Sequence, residues 1–194
     1  MKKIKTLFKR EFENHKVVNI SPEPNKGCEW VLDGEGIATI KYDGTCTMIE
    51  NGKLYRRYDA KRGKKPPVGA IPCCEPDPIT GHHPHWVEVD FNNPKPDEKM
   101  FIEAVQNTFD GDLSHAKNGT YELCGPKINN NRENLDKHIF IKHGETIVEC
   151  PRTFEGIKEY LENNYVEGIV FHRLNETNDM CKIKRRDFGF EWGN

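Results

Sequence analysis

The sequence has no run of about 18 apolar residues, the length a membrane-spanning helix requires. It also lacks an excess of charge of either sign, with 29 Lys and Arg against 31 Asp and Glu and a formal net charge of −2. That balance excludes a chain coated throughout for nucleic acid, so any polyanion-binding surface has to be local. None of the seven cysteines falls in a CxxC pair, so the usual zinc-ribbon and redox spacings are missing. The N-terminal MKKIKTLFKREF has no apolar core of the signal-peptide kind. The expectation is therefore a chain that is not secreted, intracellular in the cytoplasm or nucleus, with its thiols reduced. No internal repeat or low-complexity segment occurs. A length of 194 residues suits a single domain spanning 1–194 with one compact core.

Three basic clusters stand out against the neutral background. Five of the first ten residues are basic, and Lys53 to Lys65 holds seven basic side chains against the single acid Asp59. The third cluster is Lys182, Lys184, Arg185 and Arg186. Between the first two, Ile37 to Tyr42 and Thr45 to Glu50 read as strands, and Asn51-Gly52 predicts a type I′ hairpin returning through Lys53 to Tyr58. Eight of the twelve prolines lie between Lys64 and Asp97, which predicts a long irregular loop. Helical spacing of Met100, Phe101, Ala104, Val105 and Phe109 predicts a helix over Asp97 to Phe109. Short strands follow at Thr120 to Cys124, Lys137 to Lys142 and Thr146 to Glu149, then a helix capped by Thr153 and reaching about Asn163. Val166 to His172 and Met180 to Lys184 complete the set. Hairpins dominate, so the expected class is α+β with largely antiparallel sheets flanked by a few helices.

Four short motifs fall on these strands in order: Lys41-Tyr-Asp43-Gly44, Tyr121-Glu122-Leu-Cys-Gly125, Glu167-Gly168-Ile-Val170 and Lys182-Ile-Lys184. Side chains alternate along a strand, so Lys182 and Lys184 share one face while Ile183 packs behind them. The ordered set resembles motifs I, III, IV and V of the covalent nucleotidyltransferase superfamily, the ATP-dependent ligases and mRNA capping enzymes. The wording of LYRRYDAKRGKKPP and DPITGHHPHW is similar to the animal and viral 5′-to-3′ RNA ligase family. The resemblance covers roughly Ile37 to Arg185. It implies an adenylyltransferase fold, an ATP-grasp-like ligase catalytic domain, and with only ten residues after Lys184 no OB-fold domain is expected to follow.

What the resemblance implies for function is an ATP-dependent RNA ligase. Lys41 would attack the α-phosphorus of ATP and hold AMP as a phosphoramidate, which divides a hard condensation into easier steps. An ordinary lysine amine has a pKa of about 10.4 and is protonated at neutral pH; neighbouring cations favour the neutral amine. Lys182 and Lys184 would supply those cations and offset charge at the phosphate. Asp43 would orient the amine or a metal-bound water, and Gly44 would let the backbone approach the nucleotide. Glu122 would accept a hydrogen bond from the ribose, Phe140 is the best-placed ring for stacking on the base, with a place in the core as its alternative, and Glu167, with Asp43, would contact magnesium or manganese. Arg56 and Arg57 are adjacent on a strand and face opposite ways; the family position favours Arg57 for the nucleotide and the RNA 5′-phosphate. Lys61, Arg62, Lys64 and Lys65 would continue a track for RNA.

The implied partners are ATP and RNA ends carrying a 5′-phosphate and a 3′-hydroxyl, with no membrane, and the chain is expected to act as a monomer. Cys46 stands where capping enzymes and DNA ligases carry arginine, which favours RNA ligases. The competing readings are a GTP-dependent capping guanylyltransferase and an RNA-binding module without catalysis. Cys73, Cys74, His82, His83 and His85 are zinc-capable, but their spacing matches no standard motif, so a proline-stiffened loop is expected there.

Overall fold

The computed structural model describes residues 4–14, 16–175 and 179–193. In chain order the strands and helices are β1 Lys5–Thr6, β2 Phe8–Glu13, β3 Lys16–Pro24, α1 Glu29–Leu32, β4 Ile37–Lys41, β5 Thr45–Glu50 and β6 Lys53–Ala60. They continue with β7 Ile71–Pro72, β8 His83–Glu88, α2 Lys99–Phe109, β9 Gly119–Cys124, β10 Ile139–Lys142, β11 Ile147–Val148, α3 Phe154–Asn163, β12 Gly168–His172 and β13 Met180–Lys184. The class is α+β, mostly sheet with few helices. Among the described residues no helix is long and apolar enough to cross a membrane.

The chain divides into two compact units, a central one of Asp43–His143 and a flanking one built from the stretches on either side. Each has its own core, where the sequence led to an expectation of one. In the flanking unit five strands lie in the order β1-β13-β12-β4-β11, antiparallel except for β1 with β13. Alternation sends Ile169, Phe171 and Ile183 to one face, all fully buried, where Ile157 and Leu161 of α3 join the same core. Thr153 caps α3 by accepting the Gly156 N–H at 3.2 Å, as its sequence context predicts. Cys28, ahead of α1, is joined by a disulfide to Cys181 on β13, so two of the seven cysteines expected as thiols are not; Cys46, Cys73, Cys74, Cys124 and Cys150 are.

The central unit is an antiparallel six-stranded sheet in the order β10-β9-β5-β6-β8-β7. Helix α2 contributes Phe101, Ala104, Val105 and Phe109 to a core shared with Ile49, Leu54, Leu123 and Phe140. At the β5–β6 corner Asn51 and Gly52 both have positive φ, 51° and 71°, the type I′ geometry that lets a two-residue turn follow the strand twist. The expectation of a long irregular loop from Lys64 to Asp97 is corrected in part: β8 pairs residue for residue with β6 from Tyr55 opposite Glu88 to Ala60 opposite His83. Pro84 is tolerated because β8 is bordered on its other side only by the two-residue β7, so one missing donor leaves most of the ladder intact.

Candidate functional site

Two side-chain groups, one in each unit, hold the residues that the motifs singled out. In the flanking unit Lys41 ends β4, Gly168 begins β12 and Lys184 ends β13, and the register aligns them in one row, with Gly168 opposite both lysines. A Cβ on Gly168 would stand 2.2 Å from the Ile183 carbonyl oxygen, so the close approach of β13 itself requires glycine.

Glu167, just before β12, is 4% exposed and accepts hydrogen bonds from both lysines: Lys41 Nζ on Oε2, and Lys184 Nζ on Oε1 at 2.5 Å. Lys41 Nζ also donates to the Tyr42 carbonyl at 3.3 Å. Lys182, two residues before Lys184 and on the same face, brings a third ammonium, and Ile183 between them is fully buried. Burial, reinforced by the Lys184 and Lys41 charges, brings the Lys182 amine down to about 8. Burial and Lys41 lower Lys184 in the same direction. Three lysines thus face one carboxylate, a local surplus of positive charge in a protein without one overall.

The second group lies on the face of the central sheet opposite α2. Cys46 on β5 is directly across from Glu122 on β9, and Ile141 on β10 is across from Glu122 on its other side. His143, two residues beyond Ile141 and so on the same face, stands level with Thr120, whose carbonyl accepts its N–H at 3.1 Å. Glu122 accepts the Gly44 N–H on Oε1 at 3.1 Å and meets His143 Nε2 on Oε2 at 2.8 Å. His143 Nδ1 is 3.0 Å from Thr120 Oγ1. Burial, with the Glu122 charge beside it, pushes the Cys46 thiol up to about 12. Gly44 is glycine for a reason other than a bound nucleotide: a Cβ would lie 2.3 Å from the Leu123 carbonyl oxygen.

Asp43 is held by a turn 86 to 90 residues away: Asn129 Nδ2 donates to Oδ1 at 2.7 Å, Arg132 Nη1 to Oδ2 at 3.1 Å, and the Asp43 N–H donates to Glu133 Oε1 at 2.6 Å. None of these three holders was singled out in the sequence, nor was His143. Their only local signal is the run Asn129-Asn130-Asn131, all with φ between 46° and 59°, a conformation asparagine tolerates better than most residues.

Arg56 and Arg57 do face opposite sides. Arg56 Nε binds the buried Glu98 at 3.0 Å beside α2, whereas Arg57 lies on the Cys46 face and its Nε binds Asp59 at 3.0 Å. Phe140, expected as the ring for a base, is corrected to a core residue: it is 4% exposed and packs with Phe109 and Tyr121, on the face away from Glu122. The exposed basic residues of the hairpin region are Lys53, Lys61, Arg62, Lys64 and Lys65, of which Lys53 pairs with Glu88 at 3.1 Å. Among the described residues the metal-capable side chains gathered around one point are Cys46, Glu122 and His143, and the set does not include Cys73, Cys74, His82, His83 or His85.

No protein-family model matches the chain, and no curated protein matches it significantly.

Proposed function

We propose that the chain is an ATP-dependent RNA ligase in which Lys41 becomes covalently adenylated, AMP passes to an RNA 5′-phosphate, and a 3′-hydroxyl end displaces it. The observation that carries this reading is the convergence of Lys41, Lys182 and Lys184 on the single buried carboxylate of Glu167. Such a cluster is costly to bury, and its unbalanced charge suits a triphosphate. In the first step Lys41 releases one proton of its ammonium to solvent, and the neutral amine forms a bond to the α-phosphorus while the bond to the pyrophosphate oxygen breaks. Glu167 Oε2, in contact with that amine, takes up the second proton, which bond formation releases. Lys182 and Lys184 offset the charge that gathers on the phosphate oxygens. Glu122 keeps the ribose contact that the family resemblance gives it, and Arg57 with Lys61 to Lys65 the role of holding RNA.

Magnesium, which the resemblance implies, does not fit Glu167 or Asp43 as a resident ion. Both Glu167 oxygens accept ammonium groups, and the Asp43 oxygens accept Asn129 and Arg132. A dication beside two ammoniums would meet repulsion on the order of 1–4 kcal/mol for each pair of unit charges about 4 Å apart. The ion enters an assay as the counterion of ATP.

The test is incubation with labelled ATP and magnesium, followed by denaturing electrophoresis. The parent should carry label and Lys41→Ala should carry none while remaining folded by circular dichroism. Label on Lys41→Ala would end the adenylation reading; label from GTP in place of ATP would replace it with a capping guanylyltransferase. Junction substrates differing only in ribose or deoxyribose on each side then decide between RNA and DNA, and equal sealing of all of them would remove the RNA assignment.

A further inference from the structure

We propose that Cys46, Glu122 and His143 form a binding site for a zinc-class divalent cation, with a fourth coordination position left open. The ligand atoms, one from each residue, all lie within 4.8 Å of one another. Tetrahedral zinc with one sulfur at about 2.3 Å and nitrogen and oxygen at about 2.0–2.1 Å needs separations of about 3.3–3.6 Å, so a pair at the outer limit closes by about 1.2–1.5 Å, while the Glu122–His143 pair at 2.8 Å opens by about 0.5 Å. The donor chemistry is right for zinc and wrong for magnesium, which prefers oxygen alone.

Three observations make this more than a chance grouping. Strand pairing fixes Cys46 on β5 opposite Glu122 on β9, and His143, the residue directly after β10, is held to β9 by its N–H donating to the Thr120 carbonyl at 3.1 Å. The outer atoms of two ligands are already engaged: Thr120 Oγ1 sits at the Nδ1 of His143, and the Gly44 N–H holds the Glu122 oxygen that faces away from the imidazole. Those contacts orient ligands as outer-shell partners do in zinc proteins. The charge also closes. A thiolate and a carboxylate neutralise a dication, and the nearby Arg57 guanidinium is itself bound to Asp59. Binding displaces the thiol proton of Cys46 to solvent. The site shares Glu122 with the adenylation reading but does not depend on it, since neither Cys46 nor His143 has a part there.

The experiment titrates the full metal-free chain with cobalt(II), whose bond to a thiolate gives a near-ultraviolet charge-transfer band, and then adds zinc. One equivalent of cobalt should produce the band and zinc should abolish it. Cys46→Ser should lose the band, His143→Ala and Glu122→Gln should bind at least about tenfold more weakly, and the double variant Cys73→Ser/Cys74→Ser should match the parent. Circular dichroism checks each fold; should Cys46→Ser not fold, the His143→Ala and Glu122→Gln titrations decide by the same criterion. Absence of a band at one equivalent overturns the proposal. So does a band that survives in Cys46→Ser or disappears in the double variant, which would place the metal in the Cys/His loop, and so does parental affinity in both His143→Ala and Glu122→Gln, which would leave the Glu122–His143 contact as a plain hydrogen bond.

Discussion

Lys182 works against the fold it sits in. Its side chain lies among Lys184 and Lys41, and burial brings its amine from 10.5 down to about 8. Below pH 8 the amine is protonated folded and unfolded alike, and the full penalty of burying the charge is present. Between pH 8 and 10.5 the unfolded chain still binds the proton that the folded one has released, so this residue's contribution to stability rises with pH across that window. Lys182→Met should therefore stabilise the protein at pH 7 by about 1–3 kcal/mol in urea denaturation, with the gain shrinking towards pH 10. The same variant should lower the rate of adduct formation by about a hundredfold or more, since a cation at the phosphate is gone. Equal stability of variant and parent at pH 7 would mean that Lys182 is not held charged in a costly place. Arg56 offers the opposite case: its pair with Glu98 is buried and satisfied, and holds α2 to the sheet rather than serving a ligand.

Strands β4, β12 and β13 bring the lysines together through register alone, and Gly168 is where that register is tightest. Gly168→Ala should cost about 2–4 kcal/mol, because its methyl would meet the backbone of β13, which cannot rotate away as a side chain could. A thermal melt within a degree of the parent would show that β12 and β13 can part without consequence. Strand β12 was legible as the short apolar run Ile169-Val170-Phe171 and β13 because Ile183 stands between Lys182 and Lys184, and the Asn51-Gly52 corner because only certain residues accept its backbone. Strand β8 was hidden by Pro84 and by a proline-rich surrounding, although Trp86 and Val87 are well buried. Nothing in the sequence marked β1 to β3, where a β2–β3 pairing with two irregularities and mostly exposed β2 side chains breaks the alternation. The grip of Asn129, Arg132 and Glu133 on Asp43 was equally hidden, since it depends on contacts far apart in the chain. Phe140 was misread for a related reason: a strand's parity is visible in sequence, but which face becomes the core is decided by where α2 packs.

At the scale of the whole chain, the central unit is an insertion: the flanking unit is interrupted after Tyr42 and resumes at Gly144. Cys28 precedes the insertion and Cys181 follows it, 153 residues apart in sequence. In covalent terms the stretch from Cys28 to Cys181 is a ring, and the entire central unit lies on it. A single cut in a ring opens it without dividing it. Brief trypsin treatment should cut first at the exposed Lys61, Arg62 and Lys64. The nicked protein should then run as one species on a denaturing gel without reductant and fall into two fragments only when reductant is added. Two fragments without reductant would mean that Cys28 and Cys181 are not joined. With the ring closed, two cuts at separate places are needed before any piece of the central unit can leave, so resistance to fragmentation would follow the redox state of one sulfur pair far along the sequence from the site of attack.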